Sequence, residues 1–276
     1  MLWEQKKEKL VNRLEELAAG DVCLAFSGGV DSSLLLYLAA RAAADRGSKL
    51  YALTFDTNLH PRTDMEAARR TAAEAGVPLR VIPVDELAEL PQIRRNPPDR
   101  CYLCKKLLLG RALEEAGRLG AETVREGTNA DDLDQYRPGI RAVRELGIRS
   151  PLAEAGFTKA EVRRFAGELG IGTAERPSSP CMATRLPYGA RIDEEVLKRL
   201  EQAENALREL GFGQVRARLH GEILRLEVEP EEIPRAAGKA GKILQALKNL
   251  KFPYITLDLE GFCSGSMDRK ITPPIP

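Results

Sequence analysis

The sequence predicts an α/β protein in which a parallel-sheet domain is followed by a small α+β domain. From residue 21 to about 175, short apolar segments alternate with longer amphipathic ones, as they do in βαβ units. Polar residues follow the apolar segments, at the positions where such sheets bind ligands. A Pro- and Ser-rich segment near residue 180 then precedes a different pattern. We therefore expect one domain over residues 1–180 and a second over 181–276.

Each element of the first domain has its own signal in the sequence. The chain begins with an amphipathic helix that carries apolar residues such as Trp3 and Leu10 among Lys and Glu. The predicted strands are Val22–Phe26, Leu50–Phe55, Leu79–Val84 and Thr123–Glu126. The helices predicted between them lie at about 31–46, 62–75 and 103–118. A capping box, Thr158-Lys159-Ala160-Glu161, then begins a helix that runs to about Leu169.

The second domain shows a helix, two alternating strands, a further helix and a last strand. These are predicted at Ile192–Leu210, Val215–Leu219, Leu224–Val228, about 230–249 and Tyr254–Leu259. The Pro-rich end at 272–276 is predicted to be disordered.

Composition excludes several classes of protein. No apolar run approaches the roughly 20 residues of a membrane helix, and the N-terminus lacks the apolar core of a signal peptide. We therefore expect a cytoplasmic protein whose five cysteines are not paired in disulfides. With 42 basic against 41 acidic residues and 5% aromatics, there is little basis for binding nucleic acid.

The most informative segment is Ser27-Gly28-Gly29-Val30-Asp31-Ser32-Ser33, between the first strand and its helix. Glycines let a backbone approach a phosphate closely, and the freed N–H groups of a helix N-terminus attract anions. The hydroxyls of Ser27, Ser32 and Ser33 add donors. The Gly-Lys-Ser/Thr of kinases and GTPases is absent. We interpret the segment as a phosphate cradle; an ordinary strand–turn–helix junction is the alternative.

Polar residues also follow the other strands of the predicted sheet. Asp56 and Asn58 come after the second strand and are candidates to face a nucleoside, although a simple turn explains them equally well. Gly127 begins a loop after the fourth strand that contains Asp131 and Asp132. Carboxylates suit Mg²⁺, so Asp31 with Asp131 or Asp132 is a candidate metal site on a triphosphate. A helix N-cap is the alternative for the Asp131-Asp132 pair.

The pair Cys101-x-x-Cys104 has several interpretations: a redox pair, half of a zinc site, or part of an iron–sulfur site. Zinc is disfavoured because the only histidines, His60 and His220, stand alone. With Cys181, in an irregular loop, the pair could hold a [4Fe–4S] cluster through three irons and leave the fourth open to sulfide. Cys23 lies in a buried strand, and Cys263 has no assigned role.

Taken in order, these segments resemble the LarE family of PP-loop sulfurtransferases, over about residues 8–268. The matching segments are SGGVDSS, GTNADD with Tyr136-Arg137-Pro138-Gly139, Ser150-Pro151-Leu152, PCMATRLPYG, Val215-Arg216-Ala217-Arg218 and Gly265-Ser266-Met267. The resemblance implies an adenine-nucleotide α-hydrolase-like fold that splits ATP into AMP and pyrophosphate. The substrate implied is pyridinium-3,5-biscarboxylic acid mononucleotide, whose adenylated carboxylate becomes a thiocarboxylate. The product is on the route to the nickel-pincer nucleotide cofactor of lactate racemase-type enzymes.

The resemblance also implies how sulfur is carried. In one form of the family, the cysteine matching Cys181 gives up its own sulfur; in the other, that cysteine and a Cys-x-x-Cys pair hold a [4Fe–4S] cluster. Because Cys101 and Cys104 are present, we expect the second form, with the first as alternative. A homo-oligomer is also implied. Rival PP-loop chemistries are amide formation, which needs no cysteine trio, and tRNA thiolation, which generally adds RNA-binding modules. A nucleotide-sensing regulator would not need Cys181 in a loop.

Arg216 and Arg218 alternate onto one face of a predicted strand and present two guanidinium groups side by side. We expect them to bind the phosphate of the mononucleotide substrate, with a solvated strand face as the alternative. Arg185 is a weaker candidate for the same anion, and Glu204 is interpreted as an ordinary polar position on a helix.

Overall fold

The structure is a computed structural model that describes residues 2–121, 123–135 and 137–269. Tyr136 and the disorder predicted at 272–276 lie outside these residues. The chain forms two compact units. The first contains the residues up to Asn58, with Arg62–Glu89 and Asp99–Ser179; the second contains Leu59–Pro61, Leu90–Pro98 and the chain from Pro180 onward. The boundary at residue 180 stays a prediction.

The first unit is built on a four-stranded parallel sheet. Its strands are β1 (Val22–Ala25), β2 (Leu50–Thr57), β3 (Leu79–Val84) and β4 (Thr123–Arg125), in the order β3-β2-β1-β4. Val22 of β1 is level with Leu50 of β2 and with Thr123 of β4. Strand β1 is flanked on both sides, which explains its uninterrupted apolar sequence. The predicted α/β fold class is confirmed.

Nine helices are described in this unit. They are α1 (Trp3–Leu17), α2 (Val30–Arg46), α3 (Arg62–Glu74), α4 (Glu86–Glu89), α5 (Arg100–Arg118), α6 (Ala130–Leu133), α7 (Gly139–Glu145), α8 (Pro151–Ala155) and α9 (Lys159–Glu168). The buried leucines of α2 form the centre of one core layer, against which α1 and α9 pack. Trp3, Phe157 and Phe165 form an aromatic cluster in this layer, with ring centroids 5.8–6.2 Å apart.

Two element ends differ from the sequence prediction in ways that matter for function. Helix α5 begins at Arg100, three residues earlier than predicted, so Cys101 and Cys104 both lie in its first turns. Strand β2 continues to Thr57, so Asp56 lies inside the strand, level with Pro83, and not after it.

The second unit is a small α+β fold. It contains α10 (Glu194–Glu209), β5 (Val215–His220), β6 (Ile223–Val228), α11 (Ile233–Gly238), α12 (Ala240–Leu247), β7 (Tyr254–Leu257) and short 3-10 helices at Pro91–Arg95, Met182–Arg185, Pro230–Glu232 and Lys248–Leu250. Strands β5 and β6 are antiparallel, and β6 and β7 are parallel. The single helix predicted at 230–249 is wrong: it is interrupted at Lys239, between two glycines that are poor helix formers.

In the part of the chain that the structure describes, no helix is both long enough and apolar enough to cross a bilayer.

Candidate active site

The turn between β1 and α2 has the geometry of an anion cradle. Gly28 has a φ of +71°, and a Cβ on it would lie 2.8 Å from the backbone nitrogen of Ala68 in α3. Only glycine fits there. Gly29 is the N-cap of α2, with an ordinary φ of −81°, and its N–H donates to Ser27 Oγ over 3.4 Å. The α2 N-terminus therefore presents its first N–H groups directly after a tight turn.

Three hydroxyls surround this turn. Ser27 Oγ and Ser32 Oγ are 3.2 Å apart, and Ser32 Oγ donates to the carbonyl of Gly29 over 3.1 Å. Ser33 is fully buried, and its Oγ has no hydrogen-bond partner among the described residues. The cradle thus combines backbone N–H groups, hydroxyls and the positive end of a 17-residue helix.

The loop after β4 packs against the same helix end. A Cβ on Gly127 would lie 3.1 Å from the backbone nitrogen of Ser32, so a larger residue would push this loop away from the first turn of α2. From this loop, Asn129 Nδ2 donates to Asp31 Oδ1 over 3.0 Å. The structure therefore brings together Ser27–Ser33 and the predicted loop at Gly127.

Asp31 has a second partner that the sequence analysis did not assign. The ammonium of Lys159, the first residue of α9, contacts Asp31 Oδ2. The Asp31 side chain is 19% exposed and that of Lys159 is 36% exposed, so solvent and small ligands reach the pair.

Asp131 and Asp132, the two other candidate magnesium ligands, have different local roles. Asp131 Oδ2 accepts the backbone N–H of Lys159 over 2.8 Å. Asp132 forms a capping box with Asn129, the N-cap of α6. Burial raises the pKa of Asp132 above its ordinary value, although the nearby charge of Arg137 opposes the rise. The N-cap alternative therefore describes Asp132 better than Asp131.

A buried carboxylate, Glu126, fixes the β4 loop. It accepts hydrogen bonds from the Thr128 N–H (2.9 Å), the Thr128 hydroxyl (2.9 Å), the Lys105 ammonium (2.8 Å) and the Ser150 hydroxyl. Burial alone would raise the pKa of Glu126, but Lys105 and the hydrogen bonds outweigh it and hold the pKa below its ordinary value. The carboxylate therefore stays charged and holds Gly127 and Thr128 in place.

Arg176 holds the cradle from the other side. Its guanidinium donates to the Gly28 carbonyl over 2.8 Å and to Asp64 Oδ1 over 2.7 Å. Arg163 in turn donates to the carbonyl of Arg176 over 3.0 Å. These bonds fix the backbone of the phosphate-binding turn.

The two candidates for the nucleoside lie near the ends of β2 and β3. Asp56 is exposed and is the second-to-last residue of strand β2. Asn58 Nδ2 donates to Asp85 Oδ1 over 3.3 Å, and Asp85 also accepts the Ala88 N–H over 3.0 Å. Asn58 thus belongs to a turn with a defined hydrogen-bonded structure.

Cys101 and Cys104 are three residues apart on α5 and therefore lie on the same face of the helix. Both are partly exposed. Cys101 Sγ accepts a hydrogen bond from the buried Arg100 over 3.5 Å. Burial raises the pKa of Glu86 to about 7, against hydrogen bonds with Thr57 and Cys104 that lower it. The two thiols thus have different surroundings, one beside a cation and the other beside a carboxyl group.

In the second unit, Cys181 precedes the 3-10 helix Met182–Arg185 and is partly exposed. Its carbonyl oxygen accepts a hydrogen bond from the Thr184 hydroxyl over 2.8 Å. Arg185 is 1% exposed and forms a two-bond pair with Glu204, at 2.8 and 3.0 Å. The interpretation of Glu204 as an ordinary polar position is wrong, because it is buried and also accepts the Ala217 N–H.

Arg216 and Arg218 are both buried, so the alternative of a solvated strand face is wrong. Arg218 forms a two-bond pair with the fully buried Glu227, at 3.0 and 3.0 Å, and donates to the Thr184 carbonyl over 2.9 Å. Arg216 lies over the Phe262 ring at 5.2 Å. Burial and the neighbouring Arg185 lower the pKa of Arg216 to about 10, so it remains a cation at neutral pH. Arg218 thereby connects β5 to the segment that carries Cys181.

The remaining cysteines differ sharply in exposure. Cys23 is fully buried, as predicted, and burial raises its pKa to about 11, whereas Cys263 is exposed. Among the described residues, no group of three Cys, His, Asp or Glu side chains is arranged to hold a metal ion.

Comparison with known proteins agrees with this geometry. A family described as a PP-loop domain matches residues 2–96. A Synechocystis protein known only as uncharacterized is 39% identical over 98% of this chain and 99% of its own. An uncharacterized Methanocaldococcus jannaschii protein is 30% identical over 94% of this chain and 98% of its own. Pyridinium-3,5-bisthiocarboxylic acid mononucleotide synthase from Lactiplantibacillus plantarum is 34% identical over 97% of this chain and 95% of its own.

The chain belongs to the LarE family. It is an ATP-dependent enzyme, and the PP-loop domain matched in this LarE family member contains the cradle at Ser27–Ser33. Sequence reasoning missed Lys159 and Arg176 beside that loop. Lys159 is the first residue of a helix, where its positive charge lies next to the positive end of the helix dipole and is unfavourable. This unusual placement is the sequence feature from which a role for Lys159 could have been inferred. Arg176 lies in an irregular loop and gave no signal.

Proposed function

We propose that this enzyme converts a carboxylate of pyridinium-3,5-biscarboxylic acid mononucleotide into a thiocarboxylate, with ATP as the activating reagent. The observation that carries the proposal is the similarity to the L. plantarum synthase, which spans 97% of the chain and hence both units. The thiocarboxylate would be an intermediate toward the nickel-pincer nucleotide cofactor of lactate racemase-type enzymes.

The chemistry consists of two displacements. A carboxylate oxygen of the substrate attacks the α-phosphorus of ATP, and pyrophosphate leaves. Sulfur then attacks the acyl carbon, the C–O bond breaks, and AMP leaves with the former carboxylate oxygen. The backbone N–H groups of the α2 N-terminus, with Ser27, Ser32 and Ser33, would hold the phosphates. The carboxylate oxygens of Asp31 and Asp131 suit Mg²⁺, which when bound would neutralise charge on the leaving pyrophosphate.

Two further sets of residues would bind the remaining groups of the substrates. We assign Asp56 and Asn58 to the nucleoside of ATP. Arg216 and Arg218 would bind the phosphate of the mononucleotide, with Glu227 orienting the Arg218 guanidinium.

For the sulfur carrier we propose a [4Fe–4S] cluster with Cys101, Cys104 and Cys181 as ligands. Thiolates are the donors that such clusters use, and all three thiols are partly exposed. A cluster held by these three cysteines would leave one iron without a protein ligand, where sulfide could be supplied. Direct sulfur donation by Cys181 is the alternative, and its partial exposure supports that route as well. Anaerobic purification with about four irons per chain supports the cluster. Loss of one H₂S from Cys181 after turnover, in iron-free active protein, refutes it.

Product analysis tests the reaction itself. The enzyme is incubated with ATP, Mg²⁺ and, separately, the biscarboxylate mononucleotide, ammonia with a simple carboxylate, or tRNA. We expect AMP and pyrophosphate with the mononucleotide alone. ADP as product, or turnover only with tRNA or ammonia, would overturn the proposal. Gly29→Val is the matched inactive variant, because a Cβ there meets only Ser27 Oγ, at 3.5 Å, and the sheet should fold normally.

We further propose that the enzyme is a homo-oligomer, as the family resemblance implies. Light scattering tests this, and a fully active monomer would contradict it.

A further inference from the structure

The capping box Thr158–Glu161 has one member that helix capping does not explain. Thr158 and Glu161 bond to each other and to the helix end, whereas Lys159 takes no part in the cap. Lys159 is the first residue of a 10-residue helix, where the exposed N–H groups carry partial positive charge. A cation is electrostatically unfavourable at this position unless an anion lies nearby. Two carboxylates lie near Lys159 here: Asp131 accepts its backbone N–H, and Asp31 contacts its ammonium.

The position of Lys159 is fixed while its ammonium remains accessible. Its backbone N–H is bound to Asp131, and α9 packs against α2. Its ammonium has Asp31 as its one partner among the described residues, although an ammonium carries three donors. Arg176 also contacts this turn, but its guanidinium already donates to the Gly28 carbonyl and to Asp64. Among the described residues beside the PP-loop, Lys159 is therefore a cation with spare donors.

We propose that Lys159 is a phosphate-binding residue of the ATP site, which leaves Asp31 and binds a triphosphate oxygen when nucleotide enters. The exchange forms one ion pair as another breaks, so the ammonium is not left unpaired in either state. It also frees the Asp31 carboxylate for a cation. This inference rests on the proposed use of the PP-loop for ATP.

Equilibrium binding tests the exchange without catalysis. Inorganic pyrophosphate and ATP are titrated by calorimetry in EDTA against wild type, Lys159→Met, Lys159→Arg, Asp31→Asn and the double variant Asp31→Asn/Lys159→Met. We expect Lys159→Met to weaken pyrophosphate binding about tenfold or more, which is typical of a lost charge-assisted hydrogen bond. Lys159→Arg should bind within about threefold of wild type, because it keeps the charge. Asp31→Asn should tighten binding, since it releases the ammonium and removes a negative charge.

The double variant separates a phosphate-binding role from a structural one. If Lys159 binds phosphate, the gain from Asp31→Asn is smaller in the Lys159→Met background. Lys7→Met is the matched control, because Lys7 pairs with Glu168 at the other end of α9. This variant should bind pyrophosphate like wild type.

Equal binding by wild type and Lys159→Met, or an Asp31→Asn gain that is the same in both backgrounds, would overturn the inference. Absence of binding by wild type would overturn the proposed ATP site as well, which is a separate outcome. If Lys159→Met does not fold, the Lys159→Arg and Asp31→Asn titrations still test the exchange: weak binding by the first, or no gain from the second, contradicts it.

Discussion

Two glycines at opposite ends of helix α2 allow the geometry of the PP-loop to be tested quantitatively. Gly28 and Gly47 have nearly the same φ, +71° and +70°. Alanine in this left-handed region costs about 1–2 kcal/mol wherever it is placed. At Gly47 a Cβ meets nothing within 4 Å, so Gly47→Ala should lose only that amount.

At Gly28 the new methyl group would also collide with α3. Its Cβ would lie 2.8, 3.0 and 3.2 Å from the nitrogen, Cα and Cβ of Ala68. Two of these atoms belong to the helix backbone, which cannot rotate away as a side chain can. Overpacking of this kind costs about 1–3 kcal/mol, so Gly28→Ala should lose about 2–5 kcal/mol in total.

Urea unfolding monitored by the fluorescence of Trp3, the only tryptophan, measures both losses. We expect the midpoint of Gly28→Ala to fall well below that of Gly47→Ala, with similar m-values. Pyrophosphate binding should weaken in Gly28→Ala alone, because relief of the collision moves the turn. Equal unfolding free energies for the two variants, together with equal pyrophosphate binding, would refute the close packing of Gly28 against α3.

Three further predictions follow from buried groups. Glu227→Ala should lose about 3–5 kcal/mol of unfolding free energy by leaving Arg218 buried without its carboxylate, and a loss under about 1 kcal/mol would contradict the pair. Glu86 has a folded-state pKa of about 7, above its ordinary value of 4.5, so it favours folding below pH 4.5 and that contribution is lost as pH rises through 7. Glu86→Gln in iron-free protein should remove this pH dependence, worth up to ~3 kcal/mol; an unchanged pH–stability curve would contradict it. In native protein at pH 8, iodoacetamide should label Cys263 and spare Cys23, and rapid labelling of Cys23 would contradict its burial.

The fold was predictable to the extent that local pattern determines it. The strand Leu79–Val84 has the predicted ends, and Thr158 caps its helix as predicted, because apolar runs and capping boxes are local signals. The start of α5 at Arg100 was not predictable from periodicity, because its first turn buries an arginine. Nor does local sequence indicate that the short segments 59–61 and 90–98 group with the second unit.

The sequence indicated which residues belong to the candidate site, but it did not indicate which of them form ion pairs with each other. Alternation placed Arg216 and Arg218 on one strand, yet the burial of Arg218 depends on an ion-pair partner, Glu227, nine residues further along the chain. In the same way, Asp31 was recognised from the loop motif, whereas its contact with Lys159 joins residues 128 positions apart. Such ion pairs arise from packing between elements, which a periodic pattern does not encode.

We propose that ATP activates the substrate carboxylate as an acyl-adenylate. The most direct measurement uses the biscarboxylate mononucleotide labelled with ¹⁸O in its carboxylates, with mass spectrometry of the AMP and pyrophosphate formed during sulfur transfer. We expect one ¹⁸O in AMP for each thiocarboxylate formed, because the carboxylate oxygen attacks the α-phosphorus and stays with it. Unlabelled AMP, or label in phosphate or pyrophosphate, would contradict activation through an acyl-adenylate.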